Sequence, residues 1–208
     1  YTLLPYTTLF RSGAGIKGSN QVCEFRQMVS KLGIPVVSSM IAFDNLEYEN
    51  DLNFGFLGAY GHRFANFIVA KSDLLIVIGS RLDIRQIGSK ASNFAPLAEI
   101  IRIDIDQDEL DLKVKGNEMD FQVDIREFIT YCNSQNLEIP NFSDWINTCI
   151  TIKEHLLNFD SEPANKYIAE ISMKIPSDCI ITTDVGQNQV WVAQSFVNKA
   201  TQRVLFSR

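Results

Sequence analysis

The sequence predicts an α/β fold: a parallel sheet flanked by helices, followed by an incomplete second α/β unit. Three observations predict it. Short apolar runs of strand length alternate with segments whose apolar residues recur at helical spacing. The clearest run, DLLIVIG at residues 73–79, carries five apolar residues in a row before its glycine, the pattern of a strand covered on both faces. Strands separated by helices need crossover connections, and these are right-handed and give parallel pairing.

The elements follow in order. Val22, Phe25, Met28, Val29 and Leu32 fall on one helix face, with Ser19 placed to cap the start and Gly33 to stop the end. PVVSSM at 35–40 reads as a short strand and 63–70 as a helix. After the buried strand come strands at 100–106 (IIRIDID) and 121–124. Asp124 then precedes a helix through Phe128, Ile129 and Cys132. A polar, proline-bearing connection at 136–143 leads to a helix at 144–157 with Trp145, Ile152 and Leu156 as apolar contacts. FDSEP at 159–163 is a linker. A helix at 164–173, a strand at 179–183, a helix opening near Gln187 and the strand-like Arg203–Phe206 form the second unit, too small for a domain of its own.

Composition bounds the function. The 208 residues suffice for one sizeable core, or for one full domain plus part of another. Apolar residues at 46% and charged residues at 21% are ordinary for a soluble globular protein. A net charge of −6 without any Lys/Arg run argues against a nucleic-acid partner. The longest apolar stretch, Leu74–Ile78, is strand-sized, which argues against a membrane span. The four cysteines, Cys23, Cys132, Cys149 and Cys179, lie at neither metal-binding nor C-x-x-C spacing. Reduced, buried thiols and a cytoplasmic location are expected.

Residues 1–12, YTLLPYTTLFRS, have no initiator Met and resemble one reading frame of a common short-read sequencing adapter. A native strand is the alternative, since TTLF has good β-propensity. Neither a basic n-region nor a small-residue cleavage site marks a secretory signal. The segment is expected to be non-native, with an upstream domain lost, yet to take the place of the strand missing before Gly13.

Five motifs could carry chemistry. Gly13, Gly15 and Gly18 spell G-x-G-x-x-G before a helix, where glycines let backbone approach a phosphate closely; a purely steric need for glycine gives the same pattern. A nicotinamide site would want an acid at the end of the next strand, and that strand ends in Ser38, Ser39 and Met40. LGAYGHRFAN at 57–66 packs Gly58, Gly61 and a helix start into one loop. His62 there reads as a surface or capping residue rather than a base, having no sequence-adjacent partner to orient it. GSRLDIRQ at 79–86 places Arg81, Asp83 and Arg85 after the buried strand, where ligands of open parallel sheets bind. Forked arginine donors suit a diphosphate, and a surface pair with Asp83 is the plainer alternative. Asp104 and Asp106 would face one side of their strand, with Asp106 also placed to cap the next helix. Last, Asp184, Gly186, Gln187 and Asn188 open a helix after the strand IITT, an anion site or a helix capped by Asp184.

Taken in order, GAGIKG, PVVSS, LGAYGHRFAN, SDLLIVIGSRLDIR, FAPLAEIIRIDID and TTDVGQNQVWVAQ resemble the acetolactate synthase large subunits and their thiamine-diphosphate-dependent relatives. The resemblance runs from Gly13 to the C-terminus. It implies a pyrimidine-binding domain, a central domain and a diphosphate-binding domain. Residues 13–159 would be the central domain and 160–208 the truncated start of the diphosphate-binding domain. Carried over, Gly13, Ala14 and Gly15 would meet the nucleotide of FAD, with Leu57, Gly58 and Gly61 lining it further on. Arg81, Asp83 and Arg85 match the family's RFDDR, and Asp104 and Asp124 lie towards the adenosine. Asp184, Gly186, Gln187 and Asn188 match DVGQH, which holds the diphosphate of the thiamine cofactor. Asn188 replaces the histidine and keeps one donor. Tyr60 replaces the usual histidine of the LGMHG loop, and RLDIR lacks one acid of RFDDR; relatives with such changes include enzymes other than acetolactate synthases, some of them without FAD. The activating glutamate belongs to the upstream domain, and the Mg²⁺-binding GDG…N motif lies downstream of residue 208. The resemblance therefore implies no catalytic residue and no metal ligand within the chain. The whole enzyme would be a homo-oligomer acting on a 2-oxo acid such as pyruvate, with thiamine diphosphate, Mg²⁺ and FAD. A non-catalytic nucleotide-binding module of NAD or FAD type is the alternative, and the DVGQ segment argues against it; a purely structural domain that serves only subunit contacts is a third reading.

Overall fold

The structure, a computed structural model, describes residues 7–116, 118–160 and 162–207. β1 (Thr8–Ser12) leads through Gly13 into a short α1 (Ala14–Gly18) and then α2 (Val22–Leu32). Next come β2 (Val36–Ser38), β3 (Asn53–Phe56), α3 (Arg63–Lys71), β4 (Leu74–Ile78), a one-turn α4 (Ile84–Ile87), β5 (Glu99–Asp104), α5 (Gln107–Asp111), β6 (Glu118–Gln122), α6 (Ile125–Ser134) and α7 (Ser143–Leu156). The second unit holds α8 (Pro163–Lys174), β7 (Ile180–Thr183), α9 (Gln187–Ser195) and β8 (Arg203–Phe206).

β1 to β6 form one six-stranded sheet of order β3-β2-β1-β4-β5-β6, parallel at every pairing, and β7 and β8 form a parallel pair. The order reverses direction at β1 and β4, the switch point where open α/β sheets bind ligands outside their carboxyl edge. Period-2 alternation divides the core between the two faces. Leu9, Val37, Leu75, Val77 and Ile100 face α3 and α7, where Trp145 and Cys149 are buried and Ile152 and Leu156 pack on them. Phe10, Val36, Ile78 and Ile103 face α2 and α6, meeting Phe25, Met28, Val29, Leu32 and Ile129.

The adapter-like segment takes the central strand. Thr8–Ser12 pairs with β2 on one side and with β4 on the other, and all five residues are buried. Leu9 and Phe10 suit that place, and Trp145 Nε1 donates to Thr8 O at 2.9 Å. Arg11 does not. Its side chain lies at 0% exposure on the Leu9 face, with one bond from Nη1 to Ser12 O and with Nε and Nη2 unpartnered. Burial pulls its pKa down to about 9, against the opposing pull of Asp83.

Several sequence expectations shift. Gln21, not Ser19, stands at the N-cap of α2, because Ser19 closes α1; Gly33 stops α2 in the left-handed conformation at φ +61°. The strand expected at 121–124 lies at Glu118–Gln122, since Glu118 turns inward to the buried Arg102 at 3.4 Å. β5 ends at Asp104, which leaves Asp106 off the strand as the N-cap of α5, accepting from Asp108 N. The linker at 159–163 is occupied by a 3-10 turn, Leu157–Asp160, and by the start of α8. Among the described residues no cysteine forms a disulfide: Cys132 and Cys149 are buried as expected, whereas Cys23 is exposed and Cys179 half-buried. No described helix is long and apolar enough to cross a membrane.

The second unit packs on the first through an apolar cluster of Phe43, Phe56, Val192, Ala193, Phe196 and Val204. A buried polar clamp accompanies it. Asp44 accepts from Lys17 Nζ at 2.7 Å and from Val204 N at 2.8 Å, and Lys17 also donates to Val204 O.

Candidate functional site

Every strand of the large sheet runs the same way, so the turns after β1, β3, β4, β5 and β6 share its carboxyl edge. Those turns hold Gly13, Ala14 and Gly15; Leu57, Gly58 and Gly61; Arg81, Asp83 and Arg85; Asp104; and Asp124.

At the switch point the glycines serve the protein itself. Gly13 N donates to Ile78 O and Gly15 N to Gly79 O, each at 2.9 Å. A Cβ on Gly13 would stand 2.0 Å from Gly79 O, and one on Gly15 would stand 2.8 Å from Gly79 Cα. The first and fourth strands thus leave the sheet with their backbones in contact, and the steric reading of G-x-G-x-x-G accounts for both positions. Both amides already donate within the protein.

Gly58 makes a similar approach to the next turn. Its φ is +119°, its Cβ position lies 2.8 Å from Arg85 O, and Ala59 N donates to that carbonyl at 2.8 Å. Asn66 locks the loop from α3 by accepting from Gly58 N and donating to Gly58 O. Beside this junction a hollow of about 280 Å³ is lined by Gly58, Ala59, Asn66, Gln86, Gly88 and Phe94 among others. Gly13, Gly15 and Arg81 do not line it, and Leu57 is buried in the core.

Arg81 and Arg85 are exposed at the edge. Arg81 pairs neither with Asp83 nor with Arg85's turn: its Nε meets Glu109 of α5 at 2.8 Å. That helix is itself held by the buried Arg102, which donates to Glu109 O and Leu112 O. Asp83 caps α4, accepting from Arg85 N at 2.8 Å and from Gln86 Nε2 at 2.8 Å. Asp104 accepts from Asp106 N, and Asp124 caps α6 by accepting from Arg126 N. The acids at this edge therefore fix turns, while the two guanidinium groups face outward.

The turn after β7 differs. Asp184, Gly186, Gln187 and Asn188 are all exposed. Asp184 accepts from Val185 N, but the N-cap of α9 is Gly186, at φ +143° and ψ −167° and with no side-chain cap. Only glycine is at ease there. The first turn of α9 thus presents backbone amides at a helix N-terminus, which suits a diphosphate.

His62 is not a surface residue; it stands at the N-cap of α3, with no side-chain cap bond. It is 7% exposed, between the rings of Phe56 and Phe64. Sequence offered no signal for its partner, Gln194, since the two lie 132 positions apart.

A parallel sheet of order β3-β2-β1-β4-β5-β6 with its turns gathered at the carboxyl edge defines an open, doubly wound α/β domain. The chain belongs to the family described as thiamine pyrophosphate enzyme, central domain, whose pattern matches residues 7–131. It is 34% identical to the acetolactate synthase large subunit of Lactococcus lactis, over 94% of this chain and 35% of that protein. It is 30% identical to the isozyme 2 large subunit of Escherichia coli, over 94% of this chain and 35% of the relative. It is 31% identical to acetolactate synthase 1, chloroplastic, of Oryza sativa, over 94% of this chain and 31% of the relative. The chain spans about a third of the length of the curated relatives it matches.

Proposed function

We propose that residues 13–159 are the central domain, and 160–208 the start of the diphosphate-binding domain, of an acetolactate synthase-like enzyme. Such an enzyme is a transferase or lyase that makes or breaks carbon–carbon bonds of a 2-oxo acid such as pyruvate. The observation that carries the reading is similarity, over 94% of the chain, to proteins named as acetolactate synthase large subunits. Bound thiamine diphosphate supplies the nucleophilic carbon for this chemistry. The uncapped N-terminus of α9 at Gly186, with Gln187 and Asn188 exposed beside it, fits the cofactor's diphosphate. Mg²⁺ belongs to the whole enzyme, as do the homo-oligomer and the cytoplasmic location.

FAD fits the carboxyl edge of the large sheet. Exposed Arg81 and Arg85 offer forked donors to its diphosphate, and the hollow beside Gly58 offers a wall. Gly13, Ala14 and Gly15 would contribute close van der Waals approach rather than amide bonds, because the amides of Gly13 and Gly15 serve β4 and its turn. Asp104 and Asp124, half-buried at the edge, lie on the side of β5 and β6.

Titrating FAD with the chain while following flavin fluorescence tests the nucleotide site. Quenching that saturates, and that weakens about tenfold or more in the Arg81→Ala, Arg85→Ala double variant, is expected. Unchanged fluorescence would remove FAD from the reading. The chain alone, given thiamine diphosphate, Mg²⁺ and pyruvate, is expected to form no acetolactate above background. None of its carboxylates matches the activating glutamate of the family. Acetolactate formation by the purified chain would overturn the domain assignment.

A further inference from the structure

The loop at residues 57–62 touches two places at once. On one side Gly58 and Ala59 lie against the Arg85 backbone, at the carboxyl edge of the large sheet. On the other side the loop holds the last turn of α9, the helix that begins at the Gly186 turn. Two bonds make this second junction: His62 Nε2 meets Gln194 O at 2.9 Å, and Gln194 Nε2 donates to Tyr60 O at 2.9 Å. From α8, Asn165 Nδ2 donates to Gln194 Oε1 at 2.9 Å and fixes that side chain.

The roles of the two imidazole nitrogens follow from their neighbours. Phe56 N–H donates to His62 Nδ1 at 3.2 Å, so Nδ1 is an acceptor. In the neutral ring Nε2 then carries the proton and donates to Gln194 O. Gln194 lies in the final turn of α9, where helix carbonyls lack intrahelical donors. The imidazole supplies the missing donor.

The slot for the ring is built around it. Phe64 stacks on one face with centroids 4.6 Å apart, and Phe56 meets it edge-on at 5.3 Å. Gly55, at φ +70°, leaves space that a Cβ would fill to within 2.4 Å of Nδ1. Shape, stacking and both nitrogens fix the ring in one orientation, so the bond to α9 has a fixed direction.

We propose that His62 is a positioning residue for α9. Its Nε2–H holds the C-terminal end of that helix against the 57–62 loop, and thereby sets where the Gly186 turn points. The link to cofactor rests on the reading of that turn as a diphosphate site; the clasp itself does not.

Hydrogen exchange followed by mass spectrometry on the full 208-residue chain tests it, with peptides from β4 and β5 as internal controls for folding. His62→Asn keeps an acceptor for Phe56 N but cannot reach Gln194. His62→Gln places an amide N–H where Nε2 stood. Exchange in α9 is expected to be about tenfold faster in His62→Asn, and near wild type in His62→Gln, with β4 and β5 unchanged in both. Gln194→Ala, which leaves the ring slot intact, is expected to speed the same α9 amides. Wild-type exchange of α9 in His62→Asn would overturn the proposal. So would equal loosening in the Asn and Gln variants, which would make the ring's shape, not its donor, the cause. Inorganic pyrophosphate binding by the wild-type chain is measured separately. Loosened α9 in His62→Asn, with no pyrophosphate bound by wild type, would uphold the clasp and remove the diphosphate reading.

Discussion

The unit formed by β1, Gly13 and α1 and the unit formed by β7, Gly186 and α9 are written alike and used differently. Each leaves a parallel strand through glycine and enters a helix. After β1, the glycines are closed in by the turn after β4, and their amides are engaged there. After β7, Gly186 is exposed, and the nearest atom to its Cβ position is Asn188 Oδ1 at 3.0 Å. The strands differ as well. β1 is buried along its length between two neighbours, while among the described residues β7 pairs only with β8 and leaves Ile180 65% exposed. Glycine in a strand-to-helix turn signals a close approach, and the neighbour decides whether protein or ligand makes it.

The comparison breaks most readily at Gly13. Gly13→Ala places a Cβ against the Gly79 backbone in the turn after β4, which cannot yield as a flexible side chain would. It is expected to cost about 3 kcal/mol or more in urea denaturation, or to prevent folding. A cost near zero would mean that the close contact between these two turns is not a packing requirement.

Arg11 comes next, with the opposite sign. A guanidinium in an apolar cluster with two unpartnered nitrogens is a burden that a residue of similar length and no charge removes. Arg11→Leu is expected to raise stability by about 2 kcal/mol in the same assay. Destabilisation would show that Asp83, which attracts the guanidinium, matters more than burial does.

Gly186→Ala should be milder for the fold and harsher for the site. Its exposed turn can relax, so the cost is about 1 kcal/mol. Pyrophosphate affinity should fall by a larger factor, because the first-turn amides of α9 lose their arrangement.

The smallest effect concerns the face that covers β1. Burial pushes the Cys149 thiol up to about 12. Unfolded, the thiol titrates near about 8.5, so above that pH the unfolded chain binds fewer protons and stability falls as pH rises towards the folded value. Cys149→Ala removes this component. Its stability should decline less steeply than wild type from about pH 8 to about pH 11. Equal slopes would mean that Cys149 is accessible in the folded chain.

Much of the fold was legible because the strong signals are local. DLLIVIG became β4 with shifts of one residue, and the α2 face at Phe25, Met28, Val29 and Leu32 is buried as its spacing requires. β3 went unread because NFGF carries a glycine and only two apolar residues in a half-covered strand. β6 was displaced because Glu118 is drawn inward by Arg102, a partner from the neighbouring strand that spacing does not reveal. The site was legible as a set of turns, since topology alone brings them to one edge. Which turn holds protein and which stays open depends on long-range neighbours: Gly79 for Gly13, Glu109 for Arg81, and Gln194 for His62.

Amide-resolved NMR of the isotope-labelled chain titrated with inorganic pyrophosphate tests the contrast between the two glycine turns most directly. The amides of Gly186, Gln187 and Asn188 should shift and saturate, while those of Gly13 and Gly15, already donating to Ile78 O and Gly79 O, stay in place. Shifts centred on Gly13 and Gly15, or none at Gly186, would contradict the account.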